Sequence, residues 1–213
     1  DFVISTGASV ATIGVAGPST ASAAAGASVR QTPLPIKMFV GCQRGPTTTK
    51  LLNHFKRHGV THICGYPEIA DSGSRWSDDD LKRTRDLVEK HGLTLAMVAL
   101  PFLTSSHIDR ERRGAIMLGE SPERDRDIAD IQSMIARCGR VGIPAFKYNM
   151  SLLGVLRTSS VPGRGGSRYS TWSLNDARPD KPLTRAGHVT EEMAWERITY
   201  FLERIIPVCE EYK

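Results

Sequence analysis

The sequence contains few cysteines, and none has the spacing of a metal-binding or disulfide-rich domain. Its 213 residues include no C-x-x-C pair, which argues against a zinc ribbon. It also lacks a run of lysines or arginines interleaved with aromatic residues, so its net charge of +5 does not predict nucleic-acid binding. No G-x-G-x-x-G motif or P-loop follows the first predicted strand, so no nucleotide site is indicated there. The cysteines are Cys42, Cys64, Cys138 and Cys209.

The first 35 residues differ in composition from the rest. Residues 2–27 carry no charge and are rich in Ala, Gly, Ser, Thr and Val, but they are too weakly hydrophobic to predict a membrane span. An apolar stretch that ends in small residues is typical of an export signal. The opening Asp-Phe-Val also resembles the segment just after the paired arginines of a twin-arginine signal. We predict a leader over residues 1–35 of a periplasmic or exported protein. A disordered tail on a cytoplasmic protein is the alternative.

From residue 36 onward, short apolar runs alternate with helical patterns, which predicts parallel βαβ units with right-handed crossovers. The second helix has the clearest start, because Ser77 can cap it and Trp76 can pack on Leu81. Pro207 is expected to kink or end the last turn of the final helix. Strands are predicted over residues 37–43, 61–66, 93–100 and 143–150, and helices over residues 47–58 and 77–91 and from residues 121 and 190 onward.

Four such units make half of an eight-stranded barrel, which needs about 250 residues. A parallel sheet of four strands would leave both edges unpaired, which proteins normally avoid. The predicted fold class is therefore α/β, the first four βα units of a (β/α)8 TIM barrel over residues 36–213. A small doubly wound sheet, complete with four strands, is the competing architecture.

The fourth strand and the loop after it have the strongest functional signal. The strand leaves its apolar stretch at Lys147, Tyr148 and Asn149, and barrels carry their chemistry at the carboxyl ends of strands. The loop over residues 151–189 is too long for a simple connection, which indicates a lid or a binding surface. It has six basic and two acidic residues, which suits an anionic substrate, although a solvated surface loop is the alternative. His188 is the histidine placed to reach a substrate.

Two segments carry a resemblance to a known family. Residues 119–135 read G-E-S-P-E-R-D-R-D-I-A-D-I-Q-S-M-I, residues 142–150 read G-I-P-A-F-K-Y-N-M, and Arg157-Thr158 come after them. This pattern resembles mannonate dehydratases, metal-dependent lyases of the xylose-isomerase-like barrel group, most clearly over residues 115–160. The resemblance implies conversion of D-mannonate to 2-keto-3-deoxy-D-gluconate with a divalent metal, expected to be Mn²⁺. It also implies that the His, Cys and Asp metal ligands lie downstream of this chain.

The same resemblance implies roles for residues of this chain. Arg157 is expected to act in catalysis and to bind the sugar acid, Tyr148 to act in catalysis, and Asn149 to bind substrate hydroxyls. The spacing from Asn149 to Arg157 is one residue shorter than in the family, and residues 153–156 replace its aromatic and acidic residues. For Tyr148, a strand-end aromatic packed beneath the loop is the alternative.

Two other functions are compatible with the sequence. A sugar isomerase or epimerase of the same barrel group is the first alternative, since barrels change chemistry through their loops. A non-catalytic exported carbohydrate-binding domain is the second. The expected partner is a small-molecule sugar acid, without nucleic acid or membrane, and a homo-oligomer is left open. The half-barrel by itself is expected to be inactive.

Overall fold

The computed structural model describes residues 38–69, 75–178 and 180–212. The chain divides into two units, Asp1–Lys37 and Met38–Lys213, and all of the described residues lie in the second. The leader predicted over residues 1–35 lies outside the described residues and stays a prediction.

A parallel sheet of four strands forms the centre of the second unit. In chain order these are β1 (Gly41–Gln43), β2 (His62–Gly65), β3 (Thr94–Ala99) and β4 (Phe146–Lys147). They lie side by side in the same order, and every neighbouring pair is parallel. This arrangement confirms the predicted α/β class, in which each strand is followed by a crossover through a helix.

Each strand is followed by a helix that packs near the sheet. Three long helices connect successive strands of the sheet and a fourth follows the last strand, all where the sequence predicted helices. A short additional helix lies in the segment that follows β3. The helices are α1 (Thr49–Arg57), α2 (Asp78–Lys90), α3 (Ala115–Leu118), α4 (Glu123–Val141) and α5 (Glu191–Glu211).

Helix α2 begins as predicted, at a capping box. The Ser77 amide donates to Asp80 Oδ2 at 2.8 Å, and the Asp80 amide donates to Ser77 Oγ at 3.1 Å. Trp76 and Leu81 are both fully buried, as expected of residues that flank such a box. Loss of the cap would destabilise a helix by about 1 kcal/mol, so this motif fixes where α2 starts.

The hydrophobic core lies between one face of the sheet and the helices. Val98 of β3 and Ile63 of β2 are almost completely buried, together with Phe201 of α5. The apolar stripe predicted on α4 is also buried throughout. Its members are Ile128, Ile131, Ile135 and Cys138.

One predicted boundary is wrong, and one of two alternatives at another is excluded. Helix α5 does not end at Pro207 but continues to Glu211, so of the kink or end expected at the proline, the end is excluded. Val208 and Cys209 beyond the proline pack against the core, and such packing holds a helix where propensity alone would end it. Strand β4 is shorter than the predicted residues 143–150, because Pro144 has no amide to donate and β4 has a single neighbour, β3.

The long loop contains an antiparallel hairpin that the sequence did not predict. Its strands are β5 (Val161–Pro162) and β6 (Arg168–Tyr169). The Arg168 guanidinium donates to Ser160 Oγ at 2.8 Å and to the Ser160 carbonyl at 2.6 Å. One of the six basic residues of the loop therefore stabilises the hairpin.

Candidate functional site

Alternation along β4 divides its side chains between the two faces of the sheet. Tyr148 lies edge-on to Phe201 of α5, with 5.2 Å between ring centroids, and 5.9 Å from the ring of Phe146. Phe146 and Tyr148 therefore face the helices. Burial raises the pKa of the Tyr148 phenol, and the nearby Cys209 adds to this effect. These contacts match the packing alternative, and a catalytic role for Tyr148 stays a prediction.

Lys147 lies on the opposite face, which becomes the lumen when a barrel closes. It pairs in register with Ala99, while the buried Val98 pairs with Phe146 on the helix side. Because side chains alternate along a strand, Lys147 and Ala99 share the inner face. Lys147 is half-buried. A cation is therefore present at the carboxyl end of β4, where a barrel enzyme would bind its substrate.

Cys64 of β2 is on the same inner face. Its neighbour Gly65 is the residue that faces α2, because a Cβ atom there would lie 3.4 Å from the Thr84 methyl group. Burial raises the pKa of the Cys64 thiol, and the positive charge of Lys147 partly offsets this effect. The thiol is thus a neutral neighbour of Lys147 at physiological pH.

Polar groups also meet at the carboxyl ends of β1 and β2. Gln43 Nε2 donates to Tyr66 Oη at 3.3 Å, and the Tyr66 amide donates to Thr47 Oγ1 at 2.8 Å. The Tyr66 ring lies against the backbone of Gly45, where an added Cβ atom would come within 2.8 Å of Tyr66 Cγ. We call Gln43, Cys64, Tyr66 and Lys147 the mouth cluster.

The segment after β3 is hydrogen-bonded to the backbone just beyond β4 and to the Glu111 carboxylate. Leu103 has a φ of 56°, which is unfavourable for a leucine, and its carbonyl accepts from the Asn149 amide at 2.7 Å. The buried Glu111 carboxylate accepts from the amides of Thr104 at 2.9 Å and Ser105 at 3.1 Å. Asn149 is therefore attached through its backbone amide to the segment after β3.

The remaining predicted site residues lie on the surface of the long loop. Arg157 is exposed, and its guanidinium donates to the Leu156 carbonyl at 3.1 Å. His188 is exposed as well. In the described part of the chain, no hydrogen bond, ion pair or ring contact joins Arg157, Tyr148, Asn149 and His188 to one another. The structure thus does not bring the four residues into one contact cluster, and their roles stay predictions.

The long loop is attached to the segment after β3 through Arg185. The Arg185 amide donates to Asp109 Oδ1 at 2.8 Å, and its guanidinium donates to the Glu111 carbonyl at 2.5 Å. The space for this guanidinium exists because residue 114 is glycine, and a Cβ atom there would collide with it. Arg185 therefore positions the loop.

No metal ligand can be assigned to the described residues. They contain no group of three or more His, Cys, Asp or Glu side chains that could hold a metal ion. His54 and His58 lie next to each other on α1, with 4.6 Å between ring centroids, but a pair of exposed histidines is an incomplete ligand set.

Sequence reasoning placed Lys147 at the polar end of the strand without giving it a role, and it missed Gln43 and Tyr66. A signal for Lys147 was present, because a single charged residue between Phe146 and Tyr148 in a short strand marks the face opposite the apolar one. The Gln43–Tyr66 hydrogen bond joins residues 23 apart in the chain, and no local pattern predicts it.

The chain consists of parallel βα units with polar side chains at the carboxyl ends of the strands. This arrangement is that of part of an α/β barrel, whose mouth lies at the carboxyl ends of the strands. Curated proteins similar to the chain include mannonate dehydratases. That of Thermotoga maritima is 27% identical over 185 residues, covering 72% of this chain and 49% of the relative. Those of Thermotoga petrophila and Thermotoga neapolitana match over the same length at 27% and 26% identity.

A solved structure gives the same fold. The mannonate dehydratase from Streptococcus suis serotype 2 superposes with a TM-score of 0.62 at 22% identity, over 82% of this chain and 50% of that one. No family model matches the chain. The predicted resemblance to mannonate dehydratases is confirmed, and so is the predicted barrel-type fold. The chain spans about half the length of the relatives that it matches.

None of the helices in the described ranges is long and apolar enough to cross a membrane.

Proposed function

We propose that this chain is part of a metal-dependent hydro-lyase that removes water from a sugar acid. The reaction to test first is conversion of D-mannonate to 2-keto-3-deoxy-D-gluconate. The observation that carries the proposal is the 27% identity over 185 residues with proteins named mannonate dehydratase. The parallel half-barrel with a cation at its mouth agrees with it.

The chemistry of the reaction gives the mouth cluster a role. Dehydration removes the proton next to the carboxylate and expels the neighbouring hydroxyl group, which leaves as water once it has gained a proton. Negative charge builds up on the carboxylate as the first proton leaves. Fixed cations near that group stabilise this charge more than they stabilise the substrate. Lys147 on the inner face and Arg157 on the loop are the candidates in this chain.

A divalent metal, with Mn²⁺ as the first candidate, belongs to the proposal. The described residues provide no ligand set for it, and the proposal places its ligands on strands outside this chain. When bound, such a metal would stabilise the enolate-like charge and polarise the leaving hydroxyl group.

The test is an assay of the full-length gene product, purified with Mn²⁺. D-mannonate is supplied and formation of the 2-keto-3-deoxy acid is followed, with D-mannose and D-xylose supplied in parallel. Dehydration of the aldonate, lost with a chelator and restored by Mn²⁺, would support the proposal. Interconversion of the neutral sugars without dehydration would support an isomerase instead. Binding of sugars without any turnover would support a carbohydrate-binding domain.

Export through the leader and self-association are further parts of the proposal. Residues 2–27 have the composition of an export signal, and the amino terminus of the mature protein, isolated from fractionated cells, tests this point. A homo-oligomer is tested by light scattering on the full-length protein.

A further inference from the structure

Among the described residues, Lys147 lacks the hydrogen bonds that other partly buried cations near the core make; Arg197 and Arg204, for example, donate to the carbonyls of Met117 and Tyr200. Arg113 is paired with the fully buried Asp127 and with Asp130, both at 2.6 Å. Arg124 is paired with Glu196 at 3.2 Å. Within the described ranges, the Lys147 ammonium makes no hydrogen bond or ion pair, although the residue is half-buried. It is therefore a cation on the inner face without a counter-charge from this part of the chain.

The groups that strand register places beside Lys147 on the inner face are uncharged. Ala99 is its partner on β3, and Cys64 lies near it on β2. Extension of the β2–β3 register by one residue beyond the Gly65–Val98 pair places Tyr66 in the same row. This row thus supplies a methyl group and a phenol, and the row below adds a thiol. None of these groups neutralises an ammonium.

Closure of the barrel would raise the free-energy cost of an unpaired charge at Lys147. Further strands would remove water from the inner face, and an ammonium without a partner is strongly unfavourable in such a place. The charged form of Lys147 would be stabilised if a bound anion occupied the barrel mouth. A carboxylate is the group that a half-buried ammonium next to hydrogen-bonding neighbours would bind.

We propose that Lys147 binds the carboxylate of the sugar acid in the lumen and that it is the residue by which this protein distinguishes an aldonate from a neutral sugar. Gln43 and Tyr66 are the uncharged neighbours that meet the substrate hydroxyls. The identity of the anion as an aldonate rests on the function proposed above. A neutral sugar in the same place would leave Lys147 without its counter-charge, and this difference gives the discrimination.

The test compares variants of the full-length protein. Lys147→Met removes the charge but keeps the aliphatic stem, and Lys147→Arg keeps the charge. Lys82→Met, an exposed lysine on α2, is the matched control. Binding of D-mannonate and of D-mannose is measured by calorimetry, and kcat and KM are measured on D-mannonate. The melting temperature of each variant is recorded without ligand.

Lys147→Met is expected to weaken D-mannonate binding by roughly 30-fold or more, the lower end for loss of one partner of a desolvated charge pair. Its binding of D-mannose should stay the same or improve. Lys147→Arg should recover part of the aldonate affinity, and Lys82→Met should behave as the wild type. If Lys147→Met does not fold, the ratio of aldonate to D-mannose affinity in Lys147→Gln and Lys147→Arg provides the same comparison.

Unchanged aldonate affinity in a folded Lys147→Met variant would overturn the inference. If Lys147→Met melts at a lower temperature but keeps its aldonate affinity, the inference is overturned as well. The counter-charge of Lys147 would then be an acidic side chain of the protein and not the substrate. Failure of the proposed function looks different. In that case the wild type dehydrates none of D-mannonate, D-gluconate and D-galactonate, while Lys147→Met still weakens binding of one of these anions.

Discussion

Tyr148 lies edge-on against Phe201, with 5.2 Å between their ring centroids, and this contact sets the orientation of β4. Because Tyr148 faces α5, its neighbour Lys147 faces the lumen. One of the two residues that the family resemblance marked for catalysis is thus on the helix side, and Lys147, to which sequence reasoning gave no role, is on the inner face.

The Tyr148–Phe201 contact predicts a packing role for Tyr148. Tyr148→Phe keeps the ring and should leave both the melting temperature and kcat of the full-length protein close to those of the wild type. Tyr148→Ala should lower the free energy of unfolding by about 2–4 kcal/mol, as for other large-to-small changes next to a core. Urea unfolding and an activity assay check both. A hundredfold lower kcat in Tyr148→Phe with an unchanged melting temperature would instead support the catalytic role.

Arg157 is predicted to contact the sugar acid once the loop covers the barrel mouth. Replacement by Ala should lower kcat/KM on the aldonate by the equivalent of about 2–4 kcal/mol, as expected for one partner of a desolvated ion pair. Arg178→Ala, at another exposed arginine of the same loop, is the control and should have a much smaller effect. Equal rates for Arg157→Ala and the wild type would remove Arg157 from the site.

Arg185 is predicted to hold the long loop in place. Arg185→Met keeps much of the aliphatic stem but removes the hydrogen bond to the Glu111 carbonyl. Limited proteolysis should then cleave residues 151–189 several-fold faster, because local opening is governed by such contacts. Arg164→Met, at the exposed turn of the hairpin, serves as the comparison. Identical cleavage patterns in both variants would show that the loop is anchored elsewhere.

Cys138 is predicted to make the protein sensitive to alkaline pH. Burial, with the nearby Asp78 adding to it, raises the pKa of its thiol to about 12 from a reference of 9.0. The unfolded chain therefore loses this proton first as the pH rises. The contribution of Cys138 to stability is complete below about pH 9 and falls by up to about 1.4 kcal/mol per pH unit towards pH 12.

Urea unfolding at several pH values checks this prediction. Cys138→Ala should be less stable at pH 8, because it leaves a cavity, but its stability should fall less steeply between pH 9 and pH 12. Native Cys138 should also react with thiol reagents far more slowly at pH 8 than the half-buried Cys42. Rapid modification of Cys138 in the folded protein would contradict the assignment.

Local sequence signals predicted the elements of the fold, and they were wrong where packing competed with them. The capping box at Ser77 and the buried stripe of α4 were predictable, because each depends on residues within one or two turns of a helix. The continuation of α5 through Pro207 was not predictable, because it depends on core contacts of residues beyond the proline.

The site was less predictable than the fold, since its residues come together from distant parts of the chain. The sequence marked residues 147–149 as the polar end of a strand. It did not tell which of them face the lumen, because a one-residue shift exchanges the two faces of a strand. It also gave no indication that Gln43 and Tyr66 meet, or that Arg185 serves to anchor the loop.

The sequence by itself determined the alternation of strands and helices, the capped start of α2 and the resemblance to mannonate dehydratases, since each depends on residue order over short distances. Tertiary structure alone decided which face each side chain occupies. The contact of Tyr148 with Phe201 turns one side of β4 to the helices and leaves Lys147 on the inner face without a counter-charge from the described residues. Orientation depends on what packs against a strand, and that is a property of the folded chain.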